Sequence, residues 1–260
     1  MIIKTNYTGK GIGESSTYYI WKAIGDLGHI ALKADSLEVP DLILNIDGQL
    51  PVPKIPGIPY FYWETDSFFH GPHPEPQIFD QLFIGGCPED LVNYPQGTVF
   101  LPHAFDEEIH RPHPETQKYD VVMIGSINHL YAERQRLVQV LQSHFNVFAE
   151  QSEFGKPYAK AMSRGKLIFN RSLGEKNIPM RFFEGMAIGC LLENYNDNLD
   201  FYAVPYEHYI PYTSDEDLVE KVADYLTNDK KRINLAKNAR SHALKNHTYK
   251  HRVQTILGYL

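Results

Sequence analysis

The sequence predicts an α/β protein made of two successive parallel-sheet halves. Three observations carry this expectation. Short apolar runs rich in β-branched and aromatic residues alternate with stretches of helical spacing; Gly and Pro punctuate their boundaries; and one polar, Pro-containing stretch divides the chain near its middle.

The dividing stretch is 103–117, HAFDEEIHRPHPETQ, with Pro112 and Pro114 between two apolar strand candidates. It sets one domain over 1–110 and another over 118–260. In the second, 119–124 (YDVVMI) reads as a buried strand ending in Gly125-Ser126. A helix follows over 133–143, with Leu137, Val140 and Leu141 on one face, then a strand over 145–149. A short helix over 157–164, a strand over 166–169, a helix over 179–188 and a strand over 190–193 continue the alternation. Pro179 suits a helix start, and Gly189 suits a helix end. Ser214 introduces an amphipathic helix over 215–226, and another covers 230–245. The first domain is less regular. A Gly-rich turn over 9–16 leads to a helix over 15–27, and strand candidates lie at 29–33, 42–46, 59–63, 81–84 and 98–101. Pro-rich loops occupy 50–59 and 71–76, so this half reads as a trimmed Rossmann-like domain.

The 260 residues are 43% hydrophobic and 22% charged, enough to bury a core in each half. The net charge of −7 argues against a non-specific nucleic-acid binder, which needs a phosphate-neutralising surface. Two cysteines, Cys87 and Cys190, sit in apolar stretches without nearby His, which suits reduced thiols and neither a zinc site nor a disulfide framework. No signal-peptide core and no run of membrane-spanning length is visible, so the expectation is a soluble, cytoplasmic protein.

The chemistry concentrates in KLIFNRSLGEKNIPMRFFEGMAIGCLLEN, from Lys166 onward. A buried strand runs into a polar loop and then into a helix start, where free N–H groups and the dipole favour a diphosphate. Arg181 lies in that first turn, where a cation opposes the dipole unless it holds an anion. Glu184 stands one turn on. From spacing alone, Arg181 and Glu184 read equally well as an i,i+3 surface pair of little energetic worth.

The same segment resembles the sugar-nucleotide motif of the C-terminal domain of GT-B glycosyltransferases, closest to the CgeB-like, spore-maturation type of family-1 transferase domains. The matching positions are Asn170, Ser172, Pro179, Arg181, Phe183, Glu184, Ala187, Gly189, Leu191 and Leu192. Residues 120–126 (DVVMIGS) with Arg134, the stretch 209–226, and His247-Thr248-Tyr249 with Arg252 resemble the same group, so the match spans roughly Asp120 to the end. The resemblance implies two Rossmann-like domains facing a cleft, with the donor on the C-terminal one and the acceptor on the N-terminal one. It implies Glu184 on the ribose hydroxyls, Arg181 and the helix start on the diphosphate, and Asn170, Ser172 and Ser126 shaping the loops beneath. Many retaining members carry a second carboxylate eight positions earlier. Here that place is Lys176, with Glu175 one residue off, which leaves the stereochemistry open.

Two further candidates lie in the first half. Gly11 and Gly13 form a G-x-G before a helix, where glycines admit a phosphate or sugar to the backbone; a plain turn capped by Ser15 or Ser16 is the bland alternative. In YFYWETDSFFH, over 60–70, Glu64, Asp66 and His70 follow a strand, where α/β ligands bind. An inverting transfer needs a base for the acceptor hydroxyl, with Asp66 the first choice and His70 the second. Helix capping or surface polarity weighs equally there. His103, near the domain junction, is expected to face the donor, and His110 and His113 to be solvated. Asp215-Glu216-Asp217 spells D-x-D but sits at a helix start, so it reads as structural and no metal ligands are assigned.

The combined expectation is a metal-independent glycosyltransferase. It takes a nucleotide-diphosphate sugar, a UDP-sugar first, to an acceptor hydroxyl on a glycan, small molecule, protein or modified base, without a further cofactor. The alternatives are a non-catalytic sugar-nucleotide-binding protein, a phage-type transferase acting on nucleic acid and, more weakly, an NAD(P) enzyme, whose third glycine is Ser16 here.

Overall fold

A computed structural model describes residues 1–9, 15–47, 51–66, 73, 75–151, 154–174 and 176–260. The chain forms two compact units. One comprises Met1–Ala104, Lys176–Ile178 and Thr248–Leu260; the other comprises Phe105–Glu175 and Pro179–His247.

In the first unit, β1 (Ile2–Thr5), β2 (Ile30–Leu32), β3 (Leu42–Ile46), β4 (Tyr60–Glu64), β5 (Gln81–Ile84) and β6 (Val99–Phe100) make a six-stranded sheet in the order β2-β1-β3-β4-β5-β6. Every pairing is parallel. Strands β3 and β4 are buried throughout, which explains their unbroken apolar character. Helix α1 (Ser15–Asp26) buries Tyr19, Ile20, Ala23 and Ile24. The five strand candidates all form, and β1 adds a four-residue strand too short to stand out as a pattern. After β5 the chain takes a 3-10 turn, Pro88–Asn93, whose Pro supplies a fixed φ and no donor.

The second unit contains β7 (Tyr119–Ile124), α2 (Ala132–Gln142), β8 (Val147–Glu150), α3 (Lys156–Met162), β9 (Gly165–Phe169), α4 (Met180–Ile188), β10 (Leu191–Asn194), β11 (Ile210–Tyr212), α5 (Asp215–Thr227) and α6 (Asp229–Asn246). Its five strands, all parallel, run β11-β10-β9-β7-β8. The core on this sheet joins Val121, Met123, Leu137, Leu141, Leu167, Phe169, Leu192, Leu218 and Val222. Gly189 does not end α4 through a left-handed turn. Its backbone is extended, and a Cβ there would come within 3.1 Å of Ile168, so it serves close packing.

Past residue 247 the chain rejoins the first unit through α7 (Tyr249–Leu257). Thr248 caps α7, Tyr249 stacks on Tyr19 of α1 with ring centroids 5.5 Å apart, and Arg252 donates to the carbonyls of Pro102 and His103. Thr248, Tyr249 and Arg252 of the H-T-Y-x-x-R stretch therefore anchor α7 in that unit. Among the described residues, no helix is long and apolar enough to cross a membrane.

Candidate functional site

In each sheet the strand order reverses beside the first strand, between β1 and β3 and between β7 and β9. Such switch points are where open α/β sheets bind ligands, beyond the carboxyl ends of the strands. In the second unit the switch point is flanked by the Gly125-Ser126 turn after β7 and by Asn170–Ser172 after β9, and α4 starts beside it.

Two arginines converge there. Arg181, in the first turn of α4, donates from Nη1 to Asn170 Oδ1 at 2.7 Å, and its Nε is buried without a partner. Its guanidinium lies against Gly125, whose φ of +146° and lack of a side chain permit the approach; a Cβ there would collide with Nη2. Arg134 donates to the carbonyls of Ser126 and Arg171 at 2.9 and 2.8 Å. Burial and then the charge of Arg181 pull Arg134 down to about 9. One buried carboxyl group, Glu193, lies within electrostatic reach of both arginines. It takes hydrogen bonds from Asn170 Nδ2 at 2.6 Å and Ser172 Oγ at 2.9 Å, while burial raises its proton affinity. Two like charges held together in a partly dry site favour a bound anion. Asn170 and Ser172 are committed to holding Glu193, Arg181 and the loop; neither presents a free side chain. Ser126, half-buried, contributes its backbone carbonyl to Arg134.

Arg181 and Glu184 turn to different partners. Glu184, 3% exposed, receives Nε2 of His110 at 3.1 Å. His110 is fully buried, which corrects the expectation that it is solvated in a linker: the segment after 105 belongs to the second unit and packs into it. The Tyr158 hydroxyl is buried without a hydrogen-bond partner, within electrostatic reach of both Glu184 and Arg181. His110, Tyr158, Arg134 as an internal brace and Glu193 as a counter-ion were not singled out as site residues from the sequence. A sequence signal existed for Arg134, which follows the DVVMIGS match.

At the switch-point end of the first unit, Asp47 follows β3 while Glu64 and Asp66 end β4. Asp47 sits at φ +46° and accepts the Thr65 N–H at 2.6 Å and the Thr65 hydroxyl. Glu64 accepts the Tyr62 hydroxyl at 2.6 Å, and its other oxygen is buried without a partner. Burial, then the charge of Asp47, holds Glu64 well above the usual carboxylate range. The same two causes, in the same order, push Asp66 up to about 7. His70, Gly11 and Gly13 lie outside the described residues. His103 is 6% exposed, and burial with Arg252 nearby lowers it to about 4, so it is a neutral interior residue. Asp215 pairs with Arg136, and Asp217 with Lys221 and Thr213, in the structural role read from the D-x-D. Lys176 lies 3.7 Å from Glu89. Among the described residues, no group of three His, Cys, Asp or Glu could hold a metal ion.

Comparisons with known proteins bear on the family and the fold. A family model described as glycosyl transferase-like matches residues 108–258. Curated protein sequences give no match. Among solved structures, the chain is similar to Anabaena Alr3699/HepE in complex with UDP, with a TM-score of 0.68 and 10% identity over 100% of both chains. It is similar to T4 phage BGT in complex with its UDP-glucose substrate, with a TM-score of 0.64 and 12% identity over 98% of this chain and 97% of that one. Sucrose-phosphate synthase from Thermosynechococcus elongatus gives a TM-score of 0.58 and 12% identity over 85% and 73%. At these identities the likeness is one of fold: two parallel sheets flanked by helices, the GT-B architecture.

Proposed function

Because the chain belongs to the glycosyl transferase-like family, we propose that its second unit binds a nucleotide-diphosphate sugar at the β7/β9 switch point and that the enzyme transfers the sugar to an acceptor hydroxyl. The observation that carries this reading is the juxtaposition of Arg181, Gly125 and the start of α4. A half-buried guanidinium beside a glycine turn and a helix N-terminus is built for a diphosphate. Charge on the diphosphate would be met by Arg181 and the helix dipole without a metal. Glu184 would accept the ribose hydroxyls, and Tyr158 offers a further polar atom. UDP is the first donor to try, since Anabaena HepE and T4 phage BGT were solved with UDP or UDP-glucose. The CgeB-like subfamily is the finer assignment we favour, from the ordered motifs between Asp120 and Arg252, together with a cytoplasmic location.

In the first unit, Asp66 is our choice for the base that takes the acceptor's proton, with His70 its alternative and Gly11 and Gly13 close to the sugar or phosphate. Of the acceptors weighed, nucleic acid is disfavoured by the net charge of −7. Isothermal titration calorimetry with UDP, GDP, dTDP and UDP-glucose tests the donor site. We expect one nucleotide to bind and both Arg181→Ala and Glu184→Ala to weaken it at least tenfold. Unchanged affinity in both variants would put the donor elsewhere.

A further inference from the structure

We propose that His110 is a positioning residue for the donor: its Nε2–H ties one oxygen of Glu184 and so aims the other at the 2′,3′-diol of the ribose. The role rests on the reading of Glu184 given above. The tautomer follows from the geometry. The backbone N–H of Asp106 donates to Nδ1 of His110 at 3.0 Å, so Nδ1 carries no proton and the ring hydrogen lies on Nε2, facing Glu184 Oε1 at 3.1 Å. Both side chains are almost wholly buried, at 0% and 4% exposure.

The ring is also held from several sides. Asp106 closes its own turn, accepting the N–H groups of Glu108 and Ile109 through Oδ1, and its carbonyl accepts the N–H of His110. Arg240 of α6 bridges the carbonyls of His110 and Ala187, which ties this turn to the helix that carries Glu184. Tyr158 of α3 packs edge-on against the ring. The charged or titratable groups around His110 are thus Glu184, Asp106, His113, Tyr158 and Arg240. Burial outweighs the nearby carboxylates and lowers its proton affinity. A second proton would have to enter at Nδ1, against the Asp106 N–H. His110 therefore stays a neutral donor, fixing the carboxylate without cancelling its charge, so that Glu184 remains a full acceptor for a diol.

Calorimetry with UDP and 2′-deoxy-UDP is the test, because the affinity ratio reports the ribose contact and cancels general loss of structure. The wild type should favour UDP at least tenfold. His110→Phe, which keeps the ring volume, should bring the ratio to within about threefold of one. His110→Asn, whose amide reaches only the Nδ1 position, should do the same and serves should the Phe variant not fold. His110→Gln, whose amide nitrogen reaches the Nε2 position, should retain most of the preference. Inorganic pyrophosphate should bind all three variants like the wild type. A full UDP preference in folded His110→Phe or His110→Asn overturns the proposal. If Glu184→Ala also keeps it, or the wild type has none, the ribose reading of Glu184 falls too; if Glu184→Ala loses it, only the role of His110 falls.

Discussion

Asp66, the base we propose, combines two properties that such a role needs: a position just past the carboxyl end of β4 and a proton affinity near neutrality. Its carboxyl is raised to about 7 by burial and by Asp47, whose own oxygens are engaged by Thr65. A base of that strength is half deprotonated at physiological pH and still strong enough to draw a proton from a hydroxyl in the transition state. The rate of UDP release from UDP-sugar should therefore rise with pH along a limb centred near 7 in kcat/KM. Asp66→Asn should lower kcat by on the order of 10²- to 10⁴-fold with little change in UDP affinity. A flat pH profile, or a fully active Asn variant, would move the base elsewhere and leave a binding protein as the simpler account. From the sequence, Asp66 was legible as a carboxylate past a strand end. Glu64, named beside it at the strand end, is set apart by its deeper burial and its bond from the Tyr62 hydroxyl, and neither is written in residue spacing.

At the scale of elements, the donor site we propose depends on a turn as much as on a helix. Strand β7 is followed by Gly125, and the Arg181 guanidinium occupies the space a side chain would take there. Gly125→Ala would drive a methyl into Nη2 of Arg181 and force an unfavourable φ of +146°. Arg181 must then leave the turn, and loss of a charge-assisted contact of roughly 1.5–3 kcal/mol predicts UDP binding weaker by about tenfold or more. Binding unchanged in Gly125→Ala would show that Arg181 works from another position. The strands and helices of this unit were readable because their apolar residues keep period and length, as in YDVVMI and in the helix opened by Ser214. The turns that build the site were less so. The 105–111 turn looks polar and Pro-bounded, yet Asp106 folds it on itself and buries His110, a tertiary outcome invisible to local pattern. Glu193 likewise read as one more strand residue, and its burial beside Asn170 and Ser172 emerges only from the β9–β10 pairing.

For the molecule as a whole, the linear division at 103–117 captures the change of sheet but not the return of α7 to the first unit, since a terminal amphipathic helix carries no mark of the sheet it joins. The acids buried in that unit give the fold a pH response opposite in sign to that of salt-bridged carboxylates. Glu64 and Asp66 hold protons more tightly folded than unfolded, where they return to ordinary values near 4. Between about pH 4 and pH 8 the folded chain keeps protons that the unfolded chain has released. Unfolding then releases protons, and stability falls as pH rises through that window. Part of the effect is lost to solvent at Asp66, which is only partly buried. The melting temperature should therefore drop between pH 5.5 and pH 8. In Glu64→Gln with Asp66→Asn, where neither group titrates, the drop should shrink and Tm at pH 8 should rise above that of the wild type. An equal pH dependence in the double variant would show that both carboxyls are already ionised in the folded protein, and the acid limb near 7 assigned to Asp66 would fall with it.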